Sequence, residues 1–161
     1  EDADRHGIKL AIWAWTAGLP RTPRISPTDF AQAEASLTSL KYAAEHGHCL
    51  SMHDGSVDGS RPLFQQAYED QTALRYRVYK TLMDERGWPM PPIVLTEVYQ
   101  GGSDRNPNWD DWAWYLQQLA LDEYVLGSCW FTVGDFGGQN VSAHLPEYAD
   151  LLAALPEVVS L

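Results

Sequence analysis

The chain is 161 residues long, and its 45% hydrophobic content is that of a folded domain with one core. Eleven Lys and Arg stand against 22 Asp and Glu, a formal charge of −11 that argues against nucleic acid and anionic membranes as partners, because both want a basic face. No run approaches the ~18 consecutive apolar residues of a membrane span, so no membrane insertion is expected.

Residues 1–6 read as the tail of a helix closed by Gly7, which implies an earlier strand–helix unit. The opening Glu1-Asp2-Ala3-Asp4-Arg5 lacks a starting Met and points to processing or truncation. A first apolar run spans 8–15 and contains Trp13 and Trp15. Ser26 then caps a helix with Pro27 at its first position and Asp29 three residues after the cap. Phe30, Ala33, Leu37, Leu40 and Ala44 recur at helical steps until Gly47. The second apolar run is 49–53, ending at His53 with Asp54 beyond. A helix follows from about Phe64 or Thr72 to Arg86, with Leu74, Val78 and Leu82 on one face and Gly87 after its end. Pro89, Pro91 and Pro92 enforce an extended approach to the third run, 93–98, which contains Glu97. Another helix begins near Asn108 and carries Trp109, Trp112, Leu116 and Leu119. The fourth run is 124–133, and Pro146 opens a last helix with Tyr148, Leu151, Leu152 and Leu155.

Three of the four runs lack strict polar/apolar alternation, as expected of strands covered on both faces in a parallel sheet. The fold class is therefore α/β: four parallel strands alternating with helices, in one region spanning 1–161. About 250 residues and eight such units close a (β/α)8 barrel, so the pattern predicts half of one. A free-standing doubly wound sheet is the alternative. A half-barrel needs completion by a second polypeptide, a second copy or missing N-terminal residues. The extra length falls after the strands, at 16–24, 54–61 and 99–106, on the side where α/β folds carry their sites.

Polar and aromatic residues collect at those strand ends. Glu97 interrupts an apolar run, where an unpaired carboxylate is costly, so it either meets an Arg or works at the rim as nucleophile or base. His53 is a buried core histidine or a partner for a carboxylate or sugar hydroxyl. Asp54 fits an Asp54-Gly55 turn and is also a candidate ligand of substrate. Trp130, Trp13, Trp15 and Tyr99 are barrel filling or flat faces for a sugar, whereas Trp109 and Trp112 fit helix packing. Asp135 lies in the glycine-rich stretch 134–138 and is structural or reaches a ligand. His46, His48 and His53 have no standard zinc spacing, no strand is followed by a phosphate-binding glycine loop, and no cofactor is expected. Cys49 and Cys129 are expected as buried thiols, with a disulfide open only if their strands are adjacent; they assign no compartment.

Leu95-Thr96-Glu97-Val98 and Ser128-Cys129-Trp130-Phe131-Thr132 resemble the C-terminal half of clan A retaining glycoside hydrolases. The resemblance implies strands five to eight of a TIM barrel, with Glu97 as catalytic nucleophile on the seventh. It makes Trp130 the tryptophan of the eighth strand beside the reacting sugar and His53-Asp54 the histidine–acid pair of the sixth. Residues 74–79 resemble the helix before the nucleophile strand, and 7–20 the fifth strand and its loop. Two features depart from the family. The acid/base glutamate of the fourth strand belongs upstream of Glu1, and Gly55 stands where a tyrosine often orients the nucleophile. The implied activity is hydrolysis of a β-linked oligo- or polysaccharide by double displacement, once the other half-barrel is supplied. A carbohydrate-binding or structural protein of the same descent, without the paired acid, is the alternative; a stand-alone hydrolytic domain using Glu97 with Asp54 or Asp135 is a third reading.

Overall fold

The computed structural model describes residues 2–15, 27–56, 61–67, 73–100, 109–130, 135–136, 139–140, 146, 149–150 and 153. After a one-turn helix α1 (Asp2–Arg5), strand β1 (Ala11–Trp15) leads to helix α2 (Pro27–Glu45) and strand β2 (Cys49–Ser56). Helices α3 (Leu63–Gln66) and α4 (Tyr76–Glu85) precede strand β3 (Ile93–Gln100), and helix α5 (Trp109–Ala120) precedes strand β4 (Val125–Trp130). The four strands form one sheet in the order β1-β2-β3-β4, every pair parallel. A doubly wound sheet reverses its strand order at a switch point, and this one does not. Sequential order with helical crossovers of one hand stacks the helices on one face, which is half a (β/α)8 barrel. Strands β5 (Asp135–Phe136) and β6 (Gln139–Asn140) form a separate antiparallel pair.

The core lies between sheet and helices. Leu37 and Leu40 from α2, Tyr76, Tyr79 and Met83 from α4, and Trp112, Tyr115, Leu116 and Leu119 from α5 close over Leu50, Met52, Ile93, Leu95 and Val98 of the two central strands. Each such side chain contributes about 1.5–3 kcal/mol by leaving water. Two expectations about the helices change here. Leu74 lies outside α4, with a left-handed φ of 64°, and α4 begins only at Tyr76. Its fully buried residues are Tyr76, Tyr79 and Met83, while Leu82 packs against the core only partly buried, so the centre of the apolar stripe is rotated by one position. The helix starting at Pro27 and the left-handed glycines at 47 (φ 69°) and 87 (φ 65°) are as expected. Ser26 and most of the helix expected from Pro146 lie outside the described residues.

At the N-terminal ends of the strands, α1 is held by one carboxylate. Asp4 accepts the Tyr42 hydroxyl at 2.7 Å and lies 3.2 Å from His46 Nδ1 and 3.3 Å from His48 Nε2. The hydrogen bond from Tyr42 is the main reason its carboxyl is lowered to about 2. His46 and His48 are thus partners of Asp4. Both cysteines are free, and β3 separates their strands; Cys129 is exposed, contrary to the expectation of two buried thiols.

Candidate functional site

The central feature is a break in the alternation of β3. Ile93 and Leu95 face the helices, so strict period-two geometry would turn Glu97 toward them as well. The register instead runs from Met52↔Leu95 to His53↔Glu97, leaving Thr96 as an extra residue. This β-bulge, uncommon in a parallel pair, brings Glu97 onto the open face of the sheet and hands the buried position to Val98. Two polar pairs then bridge β2 and β3. Ser51 Oγ and Thr96 Oγ1 are 3.0 Å apart, and His53 Nδ1 is 3.0 Å from Glu97 Oε2. The His53 and Glu97 side chains keep 19% and 26% of their surface exposed, so the pair is sheltered but reachable. Neither residue ends its strand: β2 continues to Ser56 and β3 to Gln100.

Asp54 is placed differently from either expectation. It lies inside β2, not in a turn, and is 1% exposed on the helix-facing side, opposite Val98. Its Oδ2 accepts the Tyr115 hydroxyl at 2.5 Å and the Leu74 amide at 2.9 Å. Burial pushes its carboxyl up to about 6, against the hydrogen bonds from Tyr115 and Leu74 and the nearby charge of Arg75. Arg75, itself buried, donates from Nη2 to the His53 carbonyl at 3.2 Å. Tyr115, Leu74 and Arg75 are absent from the sequence-based candidates. The signal was available: an acid directly after an apolar strand requires buried donors.

The remaining candidates are spread along the strand ends. Trp13 has a left-handed φ of 56° at the register shift between Ile12 and Ala14, and its ring packs against the core. Such a φ in a bulky residue is a genuine outlier. Along the backbone, Trp15 pairs with Met52, Tyr99 with Gly55, and Trp130, the last residue of β4, with Val98. Asp135 pairs with Asn140 in the β5–β6 hairpin. Most of the long segments after the strands lie outside the described residues. Among the described residues, no three His, Cys, Asp or Glu side chains are arranged to hold a metal ion.

Chemically, an imidazole N–H directed at one carboxylate oxygen fixes the carboxylate's rotation, leaving the other oxygen for attack on an electrophile. The four barrel strands contain only two carboxylates, Asp54 and Glu97, and Asp54 faces the helices. No protein-family model matches the chain, and no curated protein or solved structure matches it either.

Proposed function

We propose that the chain is the nucleophile-bearing half of a retaining β-glycosidase, of the kind that clan A glycoside hydrolases represent. The observation that carries this reading is Glu97 on the open face of a parallel half-barrel, 3.0 Å from His53. In this reading Glu97 attacks the anomeric carbon, and a second carboxyl group about 5–5.5 Å away protonates the leaving oxygen. That acid comes from another half-barrel, since the strands of this one offer no second carboxylate on the open face. Trp15, Tyr99, Trp130 and Asp135 are proposed to line the sugar subsites, with Asp54 behind them; Trp13, packed against the core, is left out of that lining.

Exposed apolar residues support the need for completion. Among the described residues the large exposed hydrophobics are Ile8, Leu10, Phe64, Leu121 and Leu126, and all but Phe64 flank or belong to the edge strands β1 and β4. Unpaired parallel edges with apolar flanks are what four further strands would cover.

A 2,4-dinitrophenyl leaving group departs without protonation, so the first displacement can be tested apart from the acid. The chain is treated with 2,4-dinitrophenyl 2-deoxy-2-fluoro-β-glycosides of the gluco, galacto, manno and xylo series, alone and with an upstream half-barrel. One added glycosyl mass in the native protein, absent in Glu97→Gln, is the expected result. No covalent labelling with any sugar, together with measurable binding of an oligosaccharide, would favour the second reading: a carbohydrate-binding protein of the same architecture. The lack of a second open-face carboxylate in these strands is what keeps that reading in play.

A further inference from the structure

We infer that Asp54 is a positioning residue for His53, acting from behind the sheet through Tyr115 and the segment that opens α4. The inference rests on the reading of His53 and Glu97 as the reactive pair. Adjacent residues of a strand point to opposite faces but share one peptide plane. Rotation of the plane between His53 and Asp54 therefore moves both side chains. Three donors converge on these two residues: the Tyr115 hydroxyl and the Leu74 amide on Asp54 Oδ2, and Arg75 Nη2 on the His53 carbonyl. They come from two separate helical segments, α5 and the turn before α4, so the plane is fixed from two directions.

The backbone on both sides bears this out. Leu74 holds a φ of 64° while its amide points at Asp54, and Gly55, the next residue along β2, holds a φ of 133° that a side chain would strain. In a residue with a side chain a left-handed conformation persists only where the surroundings over-determine it, which holds for Leu74, whereas Gly55 adopts its φ without cost. Filling the space does not require a carboxylate, since Val98 fills the paired position on β3 with an apolar side chain. A carboxylate adds direction: it accepts two donors at set angles, and a leucine accepts none. On the other face, the consequence is a His53 ring held with Nδ1 toward Glu97.

Imidazole 1H–15N spectra of the full chain test the inference, with thermal unfolding run alongside. The native chain is expected to show a His53 Nδ1 proton protected from exchange, lost in Glu97→Ala. In Tyr115→Phe and Asp54→Leu its exchange should accelerate roughly tenfold, the factor that one ordinary hydrogen bond carries. Asp54→Asn keeps an acceptor oxygen for the same donors and should restore protection. Lower thermal stability with an unchanged His53 signal in Tyr115→Phe or Asp54→Leu would make Asp54 a merely structural anchor and overturn the inference. Should Asp54→Leu not fold, Tyr115→Phe against Asp54→Asn carries the comparison. A His53 signal that follows Asp54 while Glu97 takes no glycosyl label would instead refute the glycosidase reading and leave this one standing.

Discussion

Asp54 and Asp4 are both carboxylates with partners, yet their environments drive them in opposite directions. For Asp54, burial outweighs its hydrogen bonds and the carboxyl rises to about 6. The folded state then binds a proton that the unfolded chain, near 3.8, releases. Stability therefore falls as pH rises from about 4 to about 6, by an amount on the order of 3 kcal/mol. For Asp4 the sign reverses. Its carboxyl is lowered to about 2, so its contribution is present above the unfolded value and lost as pH falls through about 2. Thermal unfolding between pH 4 and 7 should show the first effect as a melting temperature that drops with rising pH. Asp54→Asn should flatten that slope and leave the acid limb untouched. A slope identical in the variant would mean that Asp54 is ionised throughout and that Tyr115 and Arg75 outweigh burial. The sequence marks Asp54 as an acid directly after an apolar run, which calls for donors without saying which ones. Its burial follows from Tyr115 and Leu74, 61 and 20 residues away, and no local pattern encodes those approaches.

At the scale of the element, β3 separates what a pattern carries from what it does not. Its existence, its place after the Pro-rich approach and its parallel pairing are all legible, because an apolar run between two helices has few other options. The start of α2 at Pro27 and the stop at Gly47 are legible for equally local reasons. The facing of Glu97 is not, since it depends on one extra residue that is visible only against the registers of β2 and β4. The α4 stripe shifted for a related reason: Leu74 spends its backbone on Asp54 and leaves the helix to start at Tyr76. The bulge makes a sharp prediction. In an unbroken strand, residues 96 and 98 share a face; here Thr96 is exposed and Val98 is 1% exposed. Thr96→Asp should cost about 1 kcal/mol or less, chiefly through its lost partner Ser51. Val98→Asp should cost more than about 3 kcal/mol by placing a charge among apolar side chains. Chemical denaturation of the two variants gives both values. Equal losses would show that β3 alternates regularly and that Glu97 faces the helices.

For the molecule as a whole, two opposing forces act at the open edges. Apolar surface at Ile8 and Leu10 beside β1, and at Leu121 and Leu126 along β4, favours contact with further strands. A formal charge of −11 opposes the approach of a second copy. The repulsion is long-ranged and screened by salt, over ~10 Å at 0.1 M and ~3 Å at 1 M, whereas the apolar attraction is not. Self-association of the isolated chain should therefore strengthen with added sodium chloride, the opposite of an association driven by ion pairs. Sedimentation velocity from low salt to ~1 M, spanning those screening lengths, should show the mean sedimentation coefficient rising. A Leu10→Asp, Leu126→Asp chain should remain monomeric throughout, since each substitution puts a charge where a neighbouring strand would have to bury it. Addition of an upstream half-barrel should abolish the salt response of the native chain by covering the same edges. A native chain that stays monomeric at every salt concentration would mean that these edges are not adhesive. Completion of the sheet by further strands would then lose its support, and under the glycosidase proposal the acid that works with Glu97 would have to come from this chain.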